Sequence, residues 1–153
     1  MGIIRDRFLL GLSAGFAGAV VMSGLNGLAN LVPGISTKLL FGISRLFIPI
    51  SLIGTWQGNI IAYIASTICG SLFGLVMVWI YEITGYRHYL LKGLILGMIL
   101  WLLTCGMINT GLRLAMQDSF IDNMVIILTH AAYGIAAGWV LGRYRQRIRE
   151  EQY

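Results

Sequence analysis

His130 and Tyr133 lie three residues apart in a long apolar stretch, which puts them on one face of a helix. Imidazole changes charge near neutral pH, so a proton-linked or ligand-binding role is the sharper reading of His130. The plainer one is a neutral histidine hydrogen-bonded to an asparagine or carbonyl of a neighbouring helix. The plainer reading is favoured, because no acidic residue stands at the same depth to complete a proton relay. Asp118 and Asp122 are one helical turn apart, but two carboxylates are too few to cage calcium. Ser119 and Asp122 read instead as the start signal of a helix. Cys69 and Cys105 sit in apolar segments without a C-x-x-C pair, which predicts buried packing and argues against metal or redox chemistry.

Other polar residues interrupt the apolar stretches. Asn26 and Asn30 are a turn apart, Gln57 and Asn59 follow Trp56, and Thr104, Asn109, Thr110 and Thr129 complete the set. A polar group in an apolar phase costs free energy unless paired, so such residues are the first place to look for function. Asn26, Asn30, Asn59, Asn109, His130 and Tyr133 form the candidate cluster. There is no H-E-x-x-H, G-x-S-x-G or phosphate-binding glycine loop, and no His and Asp grouping with ligand spacing. The expectation is therefore a non-enzymatic protein with no catalytic residue, cofactor or metal.

The elements that position these residues follow from composition. Of 153 residues, 58% are hydrophobic and 11% charged, against about 25% charged in a typical soluble domain. So few charges cannot cover a water-soluble surface, and the bilayer is the expected partner. The net charge of +5 does not indicate nucleic acid, because the cations cluster at the ends of apolar segments.

Four charge-free windows run Phe8–Thr37, Leu46–Tyr81, Gly93–Leu112 and Asn123–Gly142. About 20 helical residues cross a hydrocarbon core, so each window holds one span. The spans are placed near Phe8–Leu31, Thr55–Tyr81, Leu91–Leu112 and Asn123–Tyr144, with a basic tail over 145–153. The first is too long for a signal-peptide core and lacks a cleavage site, so it reads as a retained helix. Eight Lys and Arg residues fall at the N-terminus, second connection and tail, against Lys38, Arg45 and Arg113 on the other side. The positive-inside rule then predicts a multi-pass protein of the cell (inner) membrane with both termini in the cytoplasm. By this orientation most of the candidate polar residues lie in the outer half of the bilayer, where they are expected to converge.

Between Pro33 and Pro49, Lys38, Gly42 and Arg45 share one helical face and apolar residues cover much of the rest. This predicts a short amphipathic helix over about 35–48, lying in the outer interface between spans one and two. The fold class is all-α: a membrane four-helix bundle with that interfacial helix.

Small side chains recur every four residues. Span one carries Gly11, Gly15, Ala19, Ser23 and Gly27; span two Gly54, Gly58, Ala62, Ser66, Gly70 and Gly74. Gly93 and Gly97 open span three, and Gly134, Gly138 and Gly142 mark span four. Lipid tails are as apolar as leucine, so helices associate in a bilayer through close backbone approach at such residues. Four residues advance a helix by 400°, so the six positions of span two wind roughly 200° around it. That predicts two neighbours and a central place for span two, with a homo-oligomer or membrane-partner interface as an addition to internal packing.

The patterns G-L-S-A-G-F-A-G-A-V-V-M at Gly11–Met22, T-W-Q-G at Thr55–Gly58 and T-H-A-A-Y-G-I-A-A-G-W-V-L-G-R-Y at Thr129–Tyr144 resemble small uncharacterised bacterial membrane proteins of the YqhR and YagU type. The stretch between spans one and two lies outside the likeness. The resemblance implies the multi-span architecture and transfers no functional residue. The expected function is packing with itself or a membrane partner in assembly, regulation or stress adaptation. The alternative is a small oligomeric transporter or channel with a polar path near His130.

Overall fold

The computed structural model describes residues 6–35, 37, 48–52, 55–108 and 119–150, with the backbone alone at 50, 108 and 145–150. The expected interfacial helix lies outside the described residues except for Ile35, Thr37 and Ile48.

Local chemistry fixes the helix ends. Asp6 begins α1 (Arg7–Ala29) by accepting the Phe8 N–H at 2.8 Å, one of the donors a helix start leaves unsatisfied. After a single 3-10 turn at Ile50–Leu52, Thr55 caps α2 (Trp56–Thr84) by accepting from Gly58 N–H at 3.2 Å. Gly85, at φ 79°, ends α2 in a backbone region where a Cβ would be strained. The chain turns at once into α3 (Tyr89–Trp101), which continues as a π-helical segment over Leu102–Ile108. Ser119 then starts α4 (Phe120–Glu150): its hydroxyl accepts from Asp122 N–H at 3.3 Å, as the start signal predicts.

All four helices are long and apolar enough to cross a membrane, over Arg7–Ala29, Trp56–Thr84, Tyr89–Met107 and Phe120–Tyr144. The shortest has 19 residues, or about 28 Å at 1.5 Å per residue, close to a bilayer core. Their exterior is apolar: Phe16, Ile64, Ile68 and Leu128 are all more than half exposed. A surface of that kind is stable against lipid rather than water. The described residues contain no strand.

In cross-section the helices run in the order α2–α1–α4–α3. Helix α1 packs along both α2 and α4, α4 packs along α1 and α3, and α2 and α3 meet only sparingly. The apolar stretches of α1 and α4 are accordingly 39% and 44% buried, against 28% for α2 and 22% for α3. This corrects the expectation that span two is central. Its small-residue ribbon is buried as expected, at Gly58, Ala62, Ser66, Gly70 and Gly74. But a four-residue ridge is inclined to its helix axis, so one partner crossing at an angle can stay on it. Near its start the ribbon packs on the preceding turn, where the Leu52 carbonyl and Ile48 side chain lie against Gly58; further along, Gly70 meets Ala19 of α1 and Tyr133 of α4.

Two glycine crossings hold the hairpins. A Cβ at Gly15 would lie 2.8 Å from Ser71 Cα and 2.9 Å from Gly74 Cα, so the α1 and α2 backbones touch there. In the other hairpin, Gly93 and Gly97 of α3 face Gly134 and Gly138 of α4, and a Cβ at Gly97 would lie 3.0 Å from Gly134 Cα. Tyr133 joins the pairs. Its ring lies where a Gly18 Cβ would need to be, and its hydroxyl donates to Gly70 O at 2.6 Å.

The face of the bundle that holds the start of α1 and the α2–α3 turn, called here the terminal face, is tied by polar contacts. Arg7 Nη1 donates to Glu82 Oε2 at 2.9 Å, joining the start of α1 to the end of α2. Lys92 Nζ donates to Thr84 O, Thr84 Oγ1 and Gly85 O at 2.8–2.9 Å, satisfying carbonyls that the end of α2 leaves open. The Tyr81 hydroxyl donates to the Tyr89 carbonyl, and its ring meets Tyr86 edge-on at 5.6 Å.

Candidate functional site

The polar residues expected to converge are distributed over three local arrangements. The first closes the end of α1. Asn26 is fully buried, and its Oδ1 accepts from Thr37 Oγ1 at 2.6 Å. Asn30 Oδ1 accepts from Thr37 N at 2.8 Å and lies 2.9 Å from the same hydroxyl. Thr37 is itself buried, so this group draws the following connection back onto α1. Thr37 was not among the sequence candidates. Only its placement seven residues beyond Asn30 reveals it.

The second arrangement lies between α3 and α4. His130 is buried, with Nδ1 2.8 Å from the carbonyl of Ile126 one turn earlier. A carbonyl only accepts, so that nitrogen carries the proton. The other nitrogen, Nε2, is 3.5 Å from Thr104 Oγ1, whose own proton goes to Leu100 O at 2.8 Å. Thr104 falls in the π-helical segment, and Cys105 Sγ is 3.7 Å from its hydroxyl. Hydroxyls that bond back to the preceding turn tend to bend helices, and π segments are common where a helix departs from regularity.

The third is Tyr133, which faces α1 and α2 while His130 faces α3. Besides donating to Gly70 O, its ring meets Phe73 with centroids 6.3 Å apart. His130 and Tyr133 therefore share a helical face by spacing but serve different neighbours. Asn59 is half-buried near the start of α2, away from both. Asn109 lies outside the described residues.

Asp122 is buried at the start of α4, in the capping position described above. Cys105 is buried as expected, but Cys69 is exposed on the apolar outside of α2, which corrects the expectation of buried packing there. The small-residue ribbon of α2 put Gly70 inward, and the next-door position on the helix turns outward. Among the described residues no three His, Cys, Asp or Glu side chains are grouped to hold a metal.

A groove of about 340 Å³ opens at the terminal face, lined by Trp139, Val140, Arg143 and Tyr144. Sequence reasoning placed Tyr144 at a membrane boundary but did not identify the groove. No protein-family model, curated protein or solved structure matches this chain.

Proposed function

We propose that this chain is a non-enzymatic protein of the bacterial inner membrane, with both termini in the cytoplasm, that packs with itself or with a membrane partner. Its process would be assembly, regulation or stress adaptation, in keeping with the likeness to the YqhR and YagU type. The observation that carries this reading is small-residue surface left over after the bundle is packed. Gly11, Gly15, Gly70, Gly74, Gly93, Gly97, Gly134 and Gly138 are used in the two internal crossings. Among the described residues, none comes within 4 Å of where a Gly24 Cβ would stand, and only the Tyr63 hydroxyl, at 3.9 Å, comes that close at Gly27. Such positions favour close approach of another helix in lipid. The flanking helices α2 and α3, mostly unburied by the bundle, offer further apolar contact area.

Cross-linking in native membranes tests this directly. The reading requires an adduct of the chain with itself or with one reproducible partner, weakened by Gly24→Leu. Monomers alone, with no co-purifying membrane protein, would overturn it. The orientation is tested by reporter fusions after Thr37, Tyr89, Gln117 and Tyr153. Signals from the first and third outside, and from the others inside, are expected.

The transporter or channel alternative has one observation in its favour, the buried His130 beside a π-helical segment. It requires Asn26, Asn30, Asn59 and Asn109 to join His130 along one path in an oligomer. Substituting His130 by Ala would then abolish solute flux in vesicles. Flux that survives this substitution would count against the alternative.

A further inference from the structure

The groove at the terminal face has the chemistry of a lipid site. We propose that it binds one anionic phospholipid, with the phosphate on Arg143 and an acyl chain along Trp139 and Val140.

Depth is the first argument. The uncharged stretch of α4 runs Asn123–Gly142, so Arg143 and Tyr144 stand where hydrocarbon gives way to headgroups. Trp139 and Val140 lie one turn deeper on the same helix. Indole and phenol rings favour this boundary, because one end is apolar and the other polar. The groove therefore presents an apolar floor below and the exposed Arg143 guanidinium above, matching the order of parts in a phospholipid.

Charge is the second argument. The Arg143 guanidinium stands 5.7 Å from the centroid of the Trp139 ring, a cation–π placement that holds it over the groove. Among the described residues no carboxylate pairs with it. Arg7, at the same face, is engaged by Glu82, and Lys92 by the end of α2. A planar guanidinium with several donors suits phosphate oxygens. The volume of about 340 Å³ suits a headgroup and the first part of a chain rather than a whole lipid. The remaining chain lies along the apolar exterior.

The test uses the full chain, delipidated in detergent and titrated separately with phosphatidylglycerol, phosphatidylcholine and inorganic phosphate, with binding read by native mass spectrometry. One phosphatidylglycerol should be retained at concentrations where phosphatidylcholine is lost. Arg143→Gln should weaken phosphatidylglycerol about fivefold or more, the effect of one cation near an anionic headgroup. Arg143→Lys should retain most of the binding, and Arg87→Gln, which removes a cation elsewhere on the same face, should leave it unchanged. Trp139→Ala provides a second perturbation and should also weaken phosphatidylglycerol. Equal binding of the two lipids, or unchanged affinity in folded Arg143→Gln protein, would overturn the proposal. So would displacement of the lipid by millimolar inorganic phosphate, which would mark the site as one for the free anion.

Discussion

Gly15 and Gly24 are both glycines of α1, yet the structure gives them opposite roles. A side chain at Gly15 would collide with the α2 backbone at Ser71 and Gly74, which cannot yield as a flexible side chain can. Gly15→Leu should therefore cost about 2 kcal/mol or more of stability, read by thermal or denaturant unfolding in detergent micelles. Gly24→Leu meets none of the described residues and should leave the monomer's stability within about 0.5 kcal/mol, while weakening association. Equal effects in the unfolding assay would refute the assigned crossing. Tyr133 offers a subtler case. Tyr133→Phe keeps the ring against Gly18 and Phe73 but loses the bond to Gly70 O. Polar bonds between membrane helices average about 0.6 kcal/mol and reach about 1.7, so a loss within that range is expected. At this scale the sequence was informative about which residues are small or polar, and silent about their partners. Spacing alone put His130 and Tyr133 together; only the neighbours on either side of α4 show that they point to different helices.

Elements were the most legible level, because uncharged windows of about 20 residues have few alternatives in a membrane. The ends moved by a few residues for identifiable reasons. Asn30 closes α1 just before the expected end, and α4 starts three residues earlier than placed, since the Ser119 hydroxyl caps it by accepting from Asp122 N–H. Ser119→Ala should cost about 1 kcal/mol and increase hydrogen exchange at Phe120–Asn123, while leaving the other helices protected. Lys92 was counted only as a charge in the topology argument. Its use in closing α2 depends on a turn of four residues, Gly85–His88, that brings it beneath Thr84. Lys92→Met should cost about 0.5 kcal/mol, the usual size of a cation at a helix end, visible as faster exchange in the last turn of α2. The π-helical segment had no sequence signal, since Leu, Thr, Cys, Gly and Met in an apolar run fit an α-helix equally well.

For the whole molecule, the central result is the order of the helices. The ribbon of α2 suggested a central helix because its winding was measured against straight, parallel neighbours. With inclined packing, α1, the preceding turn and Tyr133 of α4 cover the ribbon, and α1 and α4 take the middle. That arrangement leaves α2 and α3 at the margins, where the apolar exteriors and the open glycines of α1 are available to lipid or to a partner. Cysteine cross-linking in native membranes tests the order most directly, with Cys69 and Cys105 first replaced by Ala. A Gly18→Cys, Tyr133→Cys pair bridges α1 and α4, where a Cβ added at Gly18 would stand 2.8 Å from the Tyr133 ring and carbonyl. It should form an intramolecular disulfide under mild oxidation, whereas Ile68→Cys with Ile99→Cys, on the exposed sides of α2 and α3, should not. A disulfide in the second pair but not in the first would mean that α2 and α3 close the bundle, and would contradict the order α2–α1–α4–α3.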